Sequence, residues 1–189
     1  MNCVSPLPQW YANNFSMHGL WPAKIDGKTI PVGGKTTPPI SEGVFERVEA
    51  SMDIWWACID LQWKLRTDFW ENEWIKHGQM GLWGQGDTGA ESYFLDGIKA
   101  RQKIDLLQIL EKGKIAFNTE YTKKQVVDVL HSSLGVENVY LACSSRGKSY
   151  FLRELLICLN KTTHLYISCP PDNSPRGCSG TTFQIPVFH

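Results

Sequence analysis

The sequence predicts an α+β domain, with several helices packed on an antiparallel β-sheet. Three observations carry that reading. Apolar residues recur at three- and four-residue spacing through the middle of the chain, the tail alternates in the manner of strands, and no repeat or low-complexity tract breaks either pattern. At 189 residues the chain fits a single domain, 1–189, able to bury its own core.

Taken in order, the residues up to Ala12 read as loop. Phe15, Met17, His18, Leu20 and Trp21 read as a short apolar strand stopped by Pro22. Residues 23–41, rich in Gly, Pro, Lys and Thr, read as a surface loop. From Ser41 the pattern turns helical, with Val44, Val48, Met52 and Trp55/Trp56 on one stripe. A second helix starts at Thr67 or Asp68, both good N-caps, and ends at Gly78. After a Gly-rich turn from Gly81 to Gly89, helices are expected over 90–102, 104–112 and 122–133. Strands are expected over 137–143, 149–159, 164–168 and 182–188.

Net charge is zero and the pI is 6.9, so composition gives no global signal for nucleic acid. A stable binder would more often carry a basic stripe, whereas an enzyme that binds and releases needs none. Eight tryptophans suit stacking on unpaired bases, although most should be core. Six cysteines, an even number, lack the paired C-x-x-C spacing of a zinc site and suit disulfides in an oxidising compartment. Asn160-Lys-Thr is a glycosylation sequon in a turn; Asn14-Phe-Ser matches the pattern but runs into the apolar strand and reads as a chance match. The start, Met1-Asn-Cys-Val-Ser-Pro-Leu-Pro, is not a signal peptide, so an upstream segment is expected for a secreted protein. No stretch reads as transmembrane, and no membrane is expected as a partner.

Two segments carry chemistry. In Phe69-Trp-Glu-Asn-Glu-Trp-Ile-Lys-His-Gly78, Glu73 and His77 lie four apart on one helix face, with Lys76 beside them. A carboxylate and an imidazole so placed tune each other, and a lysine there can meet a phosphate. Alone, this is equally an ordinary solvated helix face. His18 sits in Met17-His-Gly-Leu-Trp-Pro22, where Gly19 permits close backbone approach; alone, it reads as a satisfied core histidine.

Together, in order and separation, the two segments resemble the signatures of the ribonuclease T2 family, His-Gly-Leu-Trp-Pro and Phe-Trp-x-His-Glu-Trp-x-Lys-His-Gly. The resemblance runs from Cys3 to the C-terminus and implies that family's fold. It also implies an endoribonuclease that cleaves single-stranded RNA without metal or cofactor, giving 2′,3′-cyclic phosphates and then 3′-phosphates. On that analogy His77 is the base, His18 the acid, and Glu73 and Lys76 hold the phosphoryl group. Trp21, Trp70 and Asn72 are the expected substrate contacts, although Trp21 serves equally well as simple packing. DNA, lacking the 2′-hydroxyl, is not expected to be cut. The expected form is a monomer, secreted or vacuolar.

The sequence departs from the family pattern in three places. Asn72 stands where the family has a third histidine, which removes a charged donor to phosphate. A cysteine pair of the family, after the helix and in the loop after His-Gly-Leu-Trp-Pro, is absent as a pair. The six cysteines present would pair by family position as Cys3–Cys58, Cys143–Cys178 and Cys158–Cys169. The family's first strand, upstream of Cys3, is missing, so a sheet lacking it is expected to fold less well. Leu155-Leu-Ile-Cys158 and Cys169-Pro-Pro resemble the pistil self-incompatibility branch, whose members are usually basic. The alternative is a catalytically weak or inactive storage or defence protein. A sugar- or RNA-binding module fits less well with His18 and His77 both in place.

Overall fold

The computed structural model describes residues 14–28, 30, 39–59, 62–79, 82–171, 177–178 and 182–187. They group into two compact units, one built on 15–24 and 28–104 and the other on 25–27 and 105–189.

The first unit is helical. The stripe predicted from Ser41 forms helix α1, Glu42–Trp55, which buries Val44, Phe45, Val48 and Met52. Helix α2, Arg66–Glu73, begins earlier than Thr67 or Asp68, with Leu65 as its N-cap and no capping side chain. The cause is tertiary. The buried Arg66 guanidinium pairs with Glu49 and Asp53 of α1 and lies 5.5 Å over the Trp70 ring. That anchor fixes the first turn where capping preference alone would place it later. The helix runs on to Gly78 as expected, but Trp74–Gly78 is π-helical, closed by the Gln79 N–H donating to the Trp74 carbonyl at 3.1 Å. Helix α3, Gly86–Gln102, starts inside the Gly-rich turn and packs on α1. Trp56, Trp70, Trp74, Tyr93 and Phe94 fill the core between these helices.

Residues 15–22 are not a strand. Their polar groups are met by helix ends instead. The Met17 N–H donates to the Trp55 carbonyl at 3.0 Å, the Ser16 hydroxyl to the Ala57 carbonyl at 3.0 Å, and the Arg101 guanidinium to the Phe15 carbonyl. Apolar spacing read correctly as burial, but the segment packs on helices rather than on a sheet neighbour.

The second unit combines helices with the sheet. Helix α4, Leu106–Lys112, is capped by the Asp105 carboxylate accepting from the Gln108 N–H. Strand β1 is Glu120–Tyr121. Helix α5, Lys123–Leu134, opens on a Thr122/Gln125 capping box and closes on Gly135 in the left-handed region, φ 69°. Strands β2, Tyr140–Arg146, and β3, Ser149–Leu156, form an antiparallel hairpin. The expected strand 149–159 is broken at Ile157; beyond it β4, Cys158–Leu159, pairs antiparallel with β5, Tyr166–Ile167. Strand β6, Phe183–Gln184, lies between β1 and β3, antiparallel to the first and parallel to the second. Helices and a largely antiparallel sheet give the α+β class that the patterning predicts.

Two of the three expected disulfides are present, Cys143–Cys178 and Cys158–Cys169. Each closes a loop and contributes about 2–4 kcal/mol by restricting the unfolded chain. Cys58 is also bonded, and its expected partner Cys3 lies outside the described residues.

Candidate active site

The packing of the first unit brings His18, Glu73 and His77 together. Glu73 is the last residue of α2, and its side chain is 3% exposed. A buried carboxylate needs partners. One oxygen, Oε2, accepts the Trp21 indole N–H at 2.9 Å, and the other, Oε1, stands 3.5 Å from the Asn72 amide nitrogen. The His18 Nε2 is 3.7 Å from Oε1, and the His77 Nε2 is 3.9 Å from Oε2. One carboxylate is thus flanked by two imidazoles, one at each oxygen.

Aromatic rings frame this group. Trp21 meets the His18 ring edge-on at 5.0 Å and lies 5.2 Å from the His77 ring at a 31° tilt. Phe69, on the turn before Glu73, lies 5.9 Å from the His18 ring. Gly19 makes the approach possible. A Cβ there would collide with Glu73 Oε2 and with the Trp21 indole nitrogen.

The two imidazoles are not equivalent. The His18 side chain is 41% exposed, whereas that of His77 is 16% exposed. Burial, with the nearby positive charges of Lys76 and His18, pushes the His77 imidazole down to about 4. At 3.9 Å the Glu73 carboxylate is too distant to hydrogen-bond to Nε2, and burial prevails. His77 Nδ1 is buried without a hydrogen-bond partner among the described residues. The structure therefore favours a neutral His77, although its place on the last helical turn would by itself favour the charged form.

The other sequence-predicted residues divide. Lys76 is exposed beside His77, on the solvent side of the π-helical turn. Asn72 is half-buried against Glu73. Trp70 departs from the expectation of substrate contact. It is fully buried, its indole N–H donates to the Trp56 carbonyl at 2.8 Å, and its ring packs against Phe45. Three residues apart, Trp70 and Glu73 share the inward face of α2, and Trp70 lies in the hydrophobic core. Two residues that the sequence does not point to as part of the site hold the His18 segment. The Trp56 indole N–H donates to the His18 carbonyl at 2.7 Å, and the Tyr93 hydroxyl accepts from the Leu20 N–H at 3.4 Å. Nothing in their local sequence marks them, since both sit on apolar stripes like any core aromatic. Among the described residues no group of histidine, cysteine and acidic side chains is arranged to hold a metal ion.

This arrangement can move two protons. A neutral imidazole at His77 can accept one, and a protonated imidazole at His18 can donate one, on either side of the Glu73 carboxylate. The acid limb of activity should then follow His77. A plot of log kcat/KM against pH on a dinucleotide is expected to keep rising only up to about pH 4 on its acid side, rather than to about 6.5, the ordinary imidazole value. Lys76→Ala should move that limb upward by removing a neighbouring positive charge. An acid limb at pH 6 or above in the unmodified protein would show that His77 is not held neutral.

Comparisons with known proteins bear on the family and the fold. A family model described as the Ribonuclease T2 family matches residues 1–169. Extracellular ribonuclease LE of Solanum lycopersicum is 28% identical over 99% of this chain and 80% of that protein. Intracellular ribonuclease LX of the same plant is 25% identical over 99% and 77%. Among solved structures, RNase NT in complex with 5′-AMP superposes with a TM-score of 0.77 at 25% identity, covering 93% of this chain and 84% of that one.

Proposed function

From its membership of the ribonuclease T2 family, we propose that the chain is an endoribonuclease that cleaves single-stranded RNA by transesterification. The observation that carries the reading is the carboxylate of Glu73 flanked by the imidazoles of His18 and His77. His77 takes the proton of the 2′-hydroxyl, whose oxygen attacks the adjacent phosphorus. His18 protonates the 5′-oxygen as its bond to phosphorus breaks. The product is a 2′,3′-cyclic phosphate, which water opens to a 3′-phosphate with the two roles reversed. Lys76 meets the phosphoryl oxygens with its positive charge, the Glu73 carboxylate lies against both imidazoles, and Trp21 packs against both histidine rings. We read both compact units as parts of one catalytic domain, 1–189, acting as a monomer.

The natural setting is the secretory route, extracellular or vacuolar. The two disulfides support it, as does the sequon at Asn160, whose side-chain oxygen accepts the Thr162 and Thr163 N–H groups in an exposed turn. No helix among the described residues is long and apolar enough to cross a membrane. Its relatives in Solanum lycopersicum include one named extracellular and one named intracellular.

The test is a digestion of single-stranded RNA in the presence of chelator. The expected products end in 2′,3′-cyclic phosphate and then 3′-phosphate, with DNA of the same sequence left intact. Cleavage abolished by chelator, or cleavage of DNA, would overturn the reading. The alternative, a catalytically weak family member, rests on Asn72, which supplies a neutral donor where the family has a histidine. Asn72→His should raise kcat/KM on a dinucleotide by about ten-fold, because a charged donor contributes about 1.5–3 kcal/mol and a neutral one less. A rate that stays flat or falls would show that the phosphate site does not use this position.

A further inference from the structure

We propose that Trp56 is a positioning residue for the general acid, its indole holding the His18 main chain so that the imidazole faces the leaving oxygen. The proposal rests on the assignment of His18 as acid. Trp56 follows α1 directly, and its side chain is fully buried. Its ring is set from several sides: Tyr93 at 5.4 Å, Phe94 edge-on at 5.7 Å, and Gly97, where a Cβ would strike the six-membered ring. From that fixed seat the indole N–H donates to the His18 carbonyl at 2.7 Å.

This bond matters because of where His18 stands. Residues 15–22 are neither helix nor strand, so no ladder sets the φ and ψ of His18. Its imidazole is 41% exposed, with aromatic neighbours on two sides, Trp21 and Phe69. Beside the Met17 N–H bond to the Trp55 carbonyl, two side chains anchor this main chain, Trp56 on His18 itself and Tyr93 on Leu20. Tyr93 and Trp56 pack against each other at 5.4 Å, so the two anchors belong to one buried aromatic cluster. The Trp56 bond is the shorter and acts on the catalytic residue itself. General-acid transfer is sensitive to position, and a misplacement of about 1 Å can cost about a hundred-fold.

The distinguishing property of an acid is that it matters only where the leaving group needs a proton. A dinucleotide leaves as a 5′-alkoxide and needs one, whereas a nucleoside 3′-(4-nitrophenyl phosphate) leaves as a stable phenolate and does not. Trp56→Phe should lower kcat on a dinucleotide by about ten- to a hundred-fold, with KM little changed, and lower kcat on the aryl ester by less than about three-fold. Incorporation of 3-benzothienylalanine at position 56 keeps the ring shape and removes only the N–H donor. It covers the case in which Trp56→Phe fails to fold, and it should give the same selective loss.

His18→Ala serves as the reference. If His18→Ala shows the leaving-group selectivity and the benzothienyl protein does not, the positioning role of Trp56 is refuted while the acid assignment stands. If both substrates lose equally in His18→Ala, the acid assignment itself fails. A benzothienyl protein that loses activity equally on both substrates would mark Trp56 as a packing residue only.

Discussion

Replacing either His18 or His77 with Ala is expected to lower kcat/KM on single-stranded RNA by at least about a hundred-fold, the usual scale for a positioned proton donor or acceptor. The two imidazoles sit at opposite oxygens of one buried carboxylate, and on the proposed assignment one accepts a proton and the other donates one. The double replacement should cost far less than the product of the single losses. Once one proton transfer is lost, the other has no concerted step to assist, and residues that act as a unit are not additive. His131, His164 and His189, which lie outside both segments in the sequence, should be dispensable. The aryl ester separates the two roles, because it spares the loss in His18→Ala and leaves the loss in His77→Ala intact. A His77→Ala protein that cuts at the unmodified rate would remove the assignment of the base.

What the sequence disclosed and what it hid have different physical origins. The pairing of Glu73 with His77 was legible because a four-residue interval on a helix is a local geometric fact, independent of the rest of the fold. The approach of His18 to that pair, across more than fifty residues, was legible only through the resemblance of two short segments. Spacing alone gives no distance between them. The two described disulfides belong to the same category, since six cysteines allow many pairings and only family position chose among them.

The errors fall where tertiary contacts overrule local preference. Residues 15–22 carry strand-like spacing, but Phe15, Ser16 and Met17 bond to α3, α1 and the residues just after α1, and Met17 and Leu20 pack against the helical core. Arg66 begins α2 because Glu49 and Asp53 meet it from another helix. The π-helical turn at 74–78 is invisible to periodicity, since it closes the helix and leaves no further stripe to shift. It nevertheless carries His77, and such turns are frequent at functional sites. Burial, too, had to be seen: it moves His77 toward the neutral form, where an unburied imidazole near 6.5 would give a more basic acid limb.

Gly19→Ala is expected to cost about a hundred-fold in kcat/KM although it adds one methyl group, since small displacements of catalytic groups have effects of that size. The new Cβ would point at the Trp21 indole nitrogen and Glu73 Oε2, the two ends of a 2.9 Å hydrogen bond. Neither end can yield freely. Glu73 is buried at the junction of α2 and the π-helical turn, and the Trp21 ring is set between the His18 and His77 rings. Whichever moves, a catalytic imidazole moves with it. Parting the two also leaves the buried carboxylate short of its indole donor, a loss of about 1–3 kcal/mol for an unsatisfied buried group. Gly43→Ala is the control: its Cβ would make only ordinary contacts, and alanine is the better helix former in α1. That variant should keep full activity and melt no lower than the unmodified protein. Gly19→Ala should retain its far-ultraviolet circular dichroism while losing turnover on both the dinucleotide and the aryl ester, because the shift reaches base and acid alike. Full activity in a folded Gly19→Ala protein would mean that the carboxylate can leave Trp21 without disturbing either histidine, and that the close approach at Gly19 serves packing alone.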